Sequence, residues 1–348
     1  MNALDTVAIG SSPLMLLRAL ELARSGQRVT ILDRAAVPGG GWATPALLGF
    51  TNVEAGVHLL ENRPAFYKVL ADDLGLDLVA EGPASFGLWR GHRINMARTR
   101  ILFHSLVAAK ALRRGRLDQA RRIATSAARA TRQLSTPFAY PAGGCAALTA
   151  TLLQRLAAHG AQLILNTEIG QITVDAGIPP TCRLADGRTL TAQKLILSSR
   201  AHAPLVIDGN RWQPPVERAT VHSVVLHLAN VTDPHFGYVE ILADRTLKRV
   251  RDITAYASPQ PAPSDRLLCV QRRHDPDTDE ATLGATTLAA LQRLNLITNA
   301  TLVATARQTL KLATIPDTAL HALTRQTPQI ETLASTDLAD GYISHRGV

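Results

Sequence analysis

Apolar positions near the N-terminus change their period twice within a short stretch. Thr6-Val7-Ala8-Ile9 is an unbroken β-type run that stops at Gly10. From Pro13 to Arg24 the apolar residues Leu14, Leu17 and Leu20, with Leu16 and Ala23, fall at helical spacing and predict a helix. Ser25-Gly26-Gln27 ends it, because glycine just past a helix accepts the left-handed conformation that caps it. Arg28–Leu32 predicts a second strand, with Asp33 at its end. Further on, Ala65–Leu74 and the alanine-rich stretch 102–134 carry helical patterns, the latter broken near Gly115. Pro141-Ala142-Gly143-Gly144 opens a helix that runs to Ala158. Gln162–Leu165, Ile169–Val174, Thr181–Leu184, Thr189–Thr191 and Lys194–Ser198 read as strands, with Asp186-Gly187 as a hairpin turn. Beyond residue 205, Ser223–Leu228, Tyr238–Leu242 and Leu267–Gln271 predict a second sheet, and Thr287–Leu296 a helix.

The N-terminal pattern has a chemical meaning. Strand, tight turn, helix, strand and acid within about 30 residues is the arrangement that binds a dinucleotide, with the diphosphate on the helix N-terminus. In the ideal G-x-G-x-x-G turn the first glycine makes the bend and the second lets backbone approach the phosphates. The third lets helix and strand pack closely. Here the run is Gly10-Ser11-Ser12-Pro13-Leu14-Met15, so only the first glycine is present. Ser12 places a Cβ where phosphate passes, although its hydroxyl is a donor, and Met15 adds bulk at the helix–strand contact. An ordinary βαβ unit that binds nothing is the competing reading. Asp33 favours binding: a carboxylate at that separation accepts hydrogen bonds from an adenosine ribose and disfavours a 2′-phosphate, which makes NADP the poorer ligand. Three glycines follow in Pro38-Gly39-Gly40-Gly41-Trp42, where missing side chains let backbone pass close to a ligand.

On these residues the chain resembles the superfamily of FAD-dependent amine oxidases and phytoene desaturases, which includes protoporphyrinogen oxidases and UDP-galactopyranose mutases. Those proteins share the opening unit, then a Pro-Gly-Gly segment and a glycine-x-histidine slot, filled here by Val53-Glu54-Ala55-Gly56-Val57-His58. Tyr140-Pro141-Ala142-Gly143-Gly144, Gly160-Ala161 and Leu165–Ile172 are similar to a second block, which Ala185–Arg188 and Lys194–Ser198 continue. The likeness covers residues 1–75 and 137–205 and rests on order and spacing. It implies FAD as cofactor, with Gly10, Ser11 and Ser12 at the pyrophosphate, Asp33 at the ribose and Ile169 beside the adenine. Gly40, Gly41 and His58 would lie on the flavin side, and Arg34 and Trp42 in the same binding segment. The resemblance also marks two departures. Gly41 stands where such chains carry an arginine after Gly-Gly, and Leu333–Val348 lacks their closing helix, with Asp337 as the substitute for their aspartate.

The expected fold is therefore α/β: a discontinuous Rossmann-like FAD-binding domain from 1–75, 136–205 and 321–348, and a substrate domain of sheet and helix from 206–320. A basic helical insertion spans 76–135 between them. The composition, 46% hydrophobic and 19% charged, is ordinary for a soluble globular protein. No apolar run approaches the ~20 residues of a membrane span, and Met1–Asp5 lacks the basic start of a signal peptide, so a cytoplasmic location is expected. Cys145, Cys182 and Cys269 are far apart and read as buried free thiols; no metal site is expected. The net charge is +9, and ten basic residues against Asp118 between Ile94 and Ser135 account for all of it.

That segment has several readings: a solvated helix surface, a peripheral contact with an anionic membrane through 94–135 (Ile101-Leu102-Phe103 beside arginines), or a diphosphate attractor. Interleaved aromatics are lacking, so no nucleic-acid partner is expected. His58 is the catalytic candidate, hydrogen-bonding the flavin ring or shuttling a proton, against local pairing at a domain seam. Trp42 and Tyr140 either cover a ring system or fill core. Arg249, in Lys248-Arg249-Val250-Arg251-Asp252, falls where the mutases place an arginine against a diphosphate. The leading function is an FAD-dependent oxidoreductase acting on a small or lipid-like molecule. Two alternatives remain: a non-redox flavin-dependent mutase of sugar nucleotides, and a non-catalytic binding or scaffold subunit. A homo-oligomer or a protein partner is compatible with each.

Overall fold

A computed structural model describes residues 4–54, 56, 67–80, 85–117, 120, 121, 123, 139–200, 203–242, 244, 246–273 and 277–333. In chain order it begins with β1 (Leu4–Ile9), α1 (Pro13–Arg24) and β2 (Val29–Leu32). There follow β3 (Leu78–Ala80), the hairpin β4 (Phe86–Trp89) and β5 (His92–Asn95), α2 (Met96–Arg113), β6 (Ala139–Pro141) and α3 (Gly144–Ala158). Next come β7 (Gln162–Ile164), β8 (Ile169–Val174), β9 (Thr181–Leu184), β10 (Thr189–Ser198), β11 (Leu205–Ile207) and β12 (Asn210–Trp212). The chain ends with β13 (Glu217–Ala229), β14 (Tyr238–Ile241), β15 (Leu247–Asp252), β16 (Arg266–Arg272), α4 (Glu280–Arg293), β17 (Thr301–Thr314), α5 (Asp317–Gln326) and β18 (Ile330–Leu333).

Two compact units emerge, each from separate pieces of chain. The first comprises 1–43, 145–220 and 310–348, the second 44–144 and 221–309. These divisions differ from the sequence-based ones at 75, 136, 205 and 320.

The first unit is a nine-stranded sheet in the order β12-β11-β8-β9-β10-β1-β2-β7, with β18 also paired to β10. β7, β2, β1, β10 and β18 are parallel. The helix α1 forms where its pattern predicts: Pro13 occupies the first turn, where its missing N–H costs nothing, and Ser12 is the N-cap. Its Met15, Leu16, Ala19 and Leu20 are almost wholly buried. Met15 is thus part of the helix–strand core. Val7, Leu32, Leu195, Leu197, Leu323 and Ile330 form the packed centre of this unit. Glu331 of β18 is held by Arg18 of α1 (2.6 Å) and by Lys194 of β10 (2.6 Å), which ties three elements together.

Thr189–Thr191 and Lys194–Ser198 are not two strands but one. The first three residues of β10 pair antiparallel with β9, and its later residues pair parallel with β1 and β18. The Asp186-Gly187 turn between β9 and β10 forms as read, with Gly187 at φ +88°.

The second unit carries a seven-stranded sheet in the order β17-β13-β16-β15-β14-β4-β5. Its core joins Val224, Leu226, Val250, Leu268 and Val270 to Leu283, Ala290 and Leu291 of α4. The insertion read as helical contains the β4–β5 hairpin, turned through Arg90 and Gly91, both at positive φ. α2 follows directly and sits close on β4. A Cβ at Gly87 would lie 1.9 Å from Thr99 Oγ1, so only glycine admits the helix there. Among the described residues, no helix is long and apolar enough to cross a membrane.

Candidate functional site

The first βα turn of the first unit gathers most of the residues singled out by sequence. Gly10 bends the chain at φ +99°, and its amide donates to Leu32 O at 2.8 Å, which anchors the turn against β2. Asp33, at the end of β2, faces that turn. Its Oδ2 accepts from Ser11 N (2.7 Å) and Ser11 Oγ (2.5 Å), and its Oδ1 from Ala35 N (2.9 Å). A carboxylate offers about four lone-pair positions, so one position on Oδ1 is left for a further donor.

Ser12 does not plug the turn with its hydroxyl. Its Oγ is turned to the helix, 3.5 Å from Met15 N. The cost of its Cβ falls instead on the opposing loop. Gly40 (φ +57°) packs so closely that a Cβ there would lie 3.2 Å from Ser12 Cβ. Gly39 donates its amide to Ser11 O (3.0 Å) and Ser11 Oγ (3.2 Å), which fastens the glycine loop to the turn. Among the described residues the amides of Ser12 and Leu14 have no hydrogen-bond partner. Both belong to the positively polarised N-terminus of α1, where orphan N–H groups favour an anion.

Gly41 and Trp42 continue the glycine loop as a short 3-10 turn, with Trp42 half-buried. Arg34 lies beside Asp33 and is exposed. The chain leaving β7 runs along the same edge, Thr167 N donating to Asp33 O at 2.9 Å, and Ile169 opens β8 two residues later. Gly10, Ser11, Ser12, Asp33, Gly39 and Gly40 are thus drawn together at the ends of β1 and β2, with Arg34, Gly41 and Trp42 next to them in the chain and Ile169 two residues past the Thr167 contact. His58 and Asp337 lie outside the described residues.

Sequence reasoning missed two residues here. Ser198 and Arg200 extend from the C-terminal end of β10, the neighbour of β1. A Cβ on Gly10 would come to 4.0 Å from Ser198 Oγ, and one on Gly41 to 3.2 Å from Arg200 Nη1. The available signal was topological: ligands of open α/β sheets bind beyond the carboxyl ends of the strands, and Lys194–Ser198 was already recognised as a strand.

The second unit holds a separate buried polar cluster. Glu54 and Arg251 are almost wholly buried, with Arg251 Nε 3.4 Å from Glu54 Oε2. Tyr140 Oη donates to Glu54 Oε2 at 3.1 Å, and Arg251 Nη2 to Tyr256 Oη at 3.0 Å. The guanidinium carbon lies 3.7 Å from the Tyr140 ring centroid. Tyr140 is therefore a core residue whose face carries a cation. Gly144 completes the cluster, since a Cβ there would lie 2.4 Å from Glu54 Oε1. Arg249 pairs with Glu240 at 3.1 Å. The three cysteines are free and buried, and burial pushes the Cys182 and Cys269 thiols up to about 12, which leaves both unreactive.

The comparisons with known proteins bear on the family and the fold. A family model described as FAD-dependent oxidoreductase (DAO) matches residues 16–313. Putrescine oxidase bound to putrescine has a similar structure, with TM-score 0.62, 14% identity, and 98% of this chain and 95% of that one covered. Reduced UDP-galactopyranose mutase is similar at TM-score 0.62 and 12% identity, over 94% of this chain and 86% of that one. An oxidoreductase from Methanosarcina mazei is similar at TM-score 0.58 and 14% identity, over 87% of each chain. The sequence has no significant match among curated proteins. At such identities these structures speak for the fold.

Proposed function

This chain belongs to the DAO family of FAD-dependent oxidoreductases, and on that premise we propose that it oxidises a C–N or C–C bond of a small or lipid-like molecule. The cofactor of the family is FAD, and the first unit fits it. The observation that carries the reading is the Asp33 carboxylate, aimed at the turn of Gly10–Ser12 and retaining one acceptor position for a ribose hydroxyl. The Ser12 and Leu14 amides would hold the diphosphate, and the side-chain-free backbone of Gly40 and Gly41 would let it pass. When bound, the flavin supplies the two-electron acceptance that turns a single C–N or C–C bond into a double bond. The chain's part is to bind, orient and exclude water; His58 remains the proposed group that positions or moves a proton at the flavin.

The test is an absorbance spectrum of the purified full-length protein. A band near about 450 nm, as oxidised flavin gives, that bleaches on adding substrate amine or alkane in the absence of dioxygen supports the reading. Protein that is colourless and takes up no added FAD refutes it, and would leave the non-catalytic binding subunit as the better account. Requirement for a reduced flavin without net oxidation of substrate would favour the mutase alternative.

A peripheral membrane contact is part of the proposal. Ile101, Leu102, Phe103, Leu106 and Leu112 of α2, and Leu117 beyond it, are 37–69% exposed, beside the exposed Lys110, Arg113, Arg114 and Arg116. Apolar area and positive charge on one exposed helix match an anionic lipid surface.

A further inference from the structure

We infer that Arg200 is the cation that clamps the cofactor diphosphate, reaching the site from β10 across a gap that Gly41 leaves open. The inference rests on the cofactor reading above and adds to it a residue that the sequence motif does not contain.

Three contacts define the place. On one side of the Gly10–Ser12 turn stands Gly40, whose missing Cβ admits Ser12 Cβ; on the other stands Ser198 Oγ. Each side continues by one or two residues, to Gly41 and to Arg200, and there the two meet. Arg200 Nη1 occupies the volume next to Gly41, 3.2 Å from where a Cβ would be. The guanidinium thus lies against the glycine loop, whose Gly40 packs on Ser12 at the helix N-terminus. Ser199, just before it, is buried and pinned by two backbone bonds: its amide donates to Leu333 O at 3.1 Å, and its carbonyl accepts from Ile315 N at 2.8 Å. The base of the arginine is therefore fixed while its head is exposed.

The electrostatics point the same way. Among the described residues Arg200 makes no hydrogen bond and no ion pair, whereas Arg18, Arg249 and Arg251 each have a carboxylate. A rigidly based arginine with free donors beside an anion-favouring helix end is suited to a diphosphate, which its planar fork can grip in bidentate fashion. Gly41 then has a role of its own, leaving room for the guanidinium. A Cβ at 41 would make the guanidinium shift by a few tenths of an ångström, and a longer side chain there would compete with it for the rim. Positions 41 and 200 thus act as one unit, in which a small residue at one leaves space for the arginine of the other.

The test compares ligands that do or do not carry the diphosphate. Wild type, Arg200→Gln and the exchange Gly41→Arg/Arg200→Gly are titrated with FAD, with ADP and with adenosine, following flavin fluorescence or competition against it. Thermal unfolding without ligand runs alongside. Wild type binding FAD and ADP decides the cofactor reading by itself; absence of both removes that reading and this inference together. Given binding, Arg200→Gln is expected to weaken FAD and ADP by about 10- to 100-fold, the range of a lost charge-assisted pair. Adenosine affinity and the unfolding midpoint should stay as in wild type. The exchange variant regains the preference for ADP over adenosine. An unchanged ratio of ADP to adenosine affinity in Arg200→Gln overturns the inference, and so does an exchange variant that regains none of it.

Discussion

Replacing Asp33 by asparagine probes the centre of the cofactor reading, because the carboxylate has measurable duties in both the empty and the loaded protein. It accepts three protein hydrogen bonds, two from Ser11 and one from Ala35 N. Asparagine has one carbonyl oxygen with two lone pairs and an NH2 group that only donates. Turned to keep both Ser11 bonds, it opposes its NH2 to the Ala35 amide and loses that bond together with the acceptor position left for ribose. The loss of one charge-assisted bond is about 1.5–3 kcal/mol, so the apoprotein should be less stable by an amount in that range. At about 1.4 kcal/mol per decade, a ribose hydroxyl losing the same acceptor weakens FAD binding by roughly 10- to 100-fold. The assay is a titration of wild type and Asp33→Asn with FAD, repeated with ADP and 2′-deoxy-ADP as competitors. Wild type should prefer ADP over its deoxy analogue, and Asp33→Asn should have lost most of that preference. Equal FAD affinities, or a preference that survives in Asp33→Asn, would show that the carboxylate does not grip the sugar.

Three other outcomes follow from the structure. Burial alone would raise the Glu331 carboxyl, but hydrogen bonds from Arg18 and Lys194 outweigh it and hold its pKa below the ordinary 4.5. Its stabilisation is therefore present above pH about 4.5 and lost as pH falls through the lower folded value. Urea unfolding should find Glu331→Gln less stable by about 1–3 kcal/mol at pH 7, with the gap to wild type closing under acid; a constant gap contradicts the account. Arg251→Met leaves the Glu54 carboxylate buried without its guanidinium and should cost about 3–5 kcal/mol. Adding Glu54→Gln should return part of that stability, and strictly additive losses would deny the pairing. Finally, the protein should sediment with phosphatidylserine vesicles at low salt and not with neutral ones, and Lys110→Glu/Arg113→Glu/Arg114→Glu should abolish this; binding unaffected by those changes would remove α2 as the contact.

How much of this was legible in the sequence depended on the range of the interaction. The β1–α1–β2 unit is local, and its apolar periodicity, cap and terminal acid located the helix and the turn that Asp33 faces. The β4–β5 hairpin carries a weak local signal, because His92-Arg93-Ile94-Asn95 after Arg90-Gly91 is mostly polar and exposed and has little apolar alternation. β10 was split in two because Ala192-Gln193 interrupts its hydrophobic run, and pairing with β1 keeps that stretch extended. β17 went unseen because its threonines and alanines give a weak alternation, and only its place beside β13 marks it as a strand. The contact of Gly41 with Arg200 joins distant parts of the chain, and no local pattern carries it. Gly41 could be read only as something lacking.

The double pairing of β10 also governs the order in which the molecule can be made. A ribosome releases β1, α1 and β2 early, yet the strand that must lie beside β1 begins at Thr189, and β18, which closes the far side of β10, begins only at Ile330. Non-local pairings of this kind close slowly and late. Until they do, the nascent N-terminal unit exposes apolar strand edges, and the turn that Asp33 faces is open along the β10 side. A cofactor held at that turn would on these grounds find its full site only after β10 and β18 have paired.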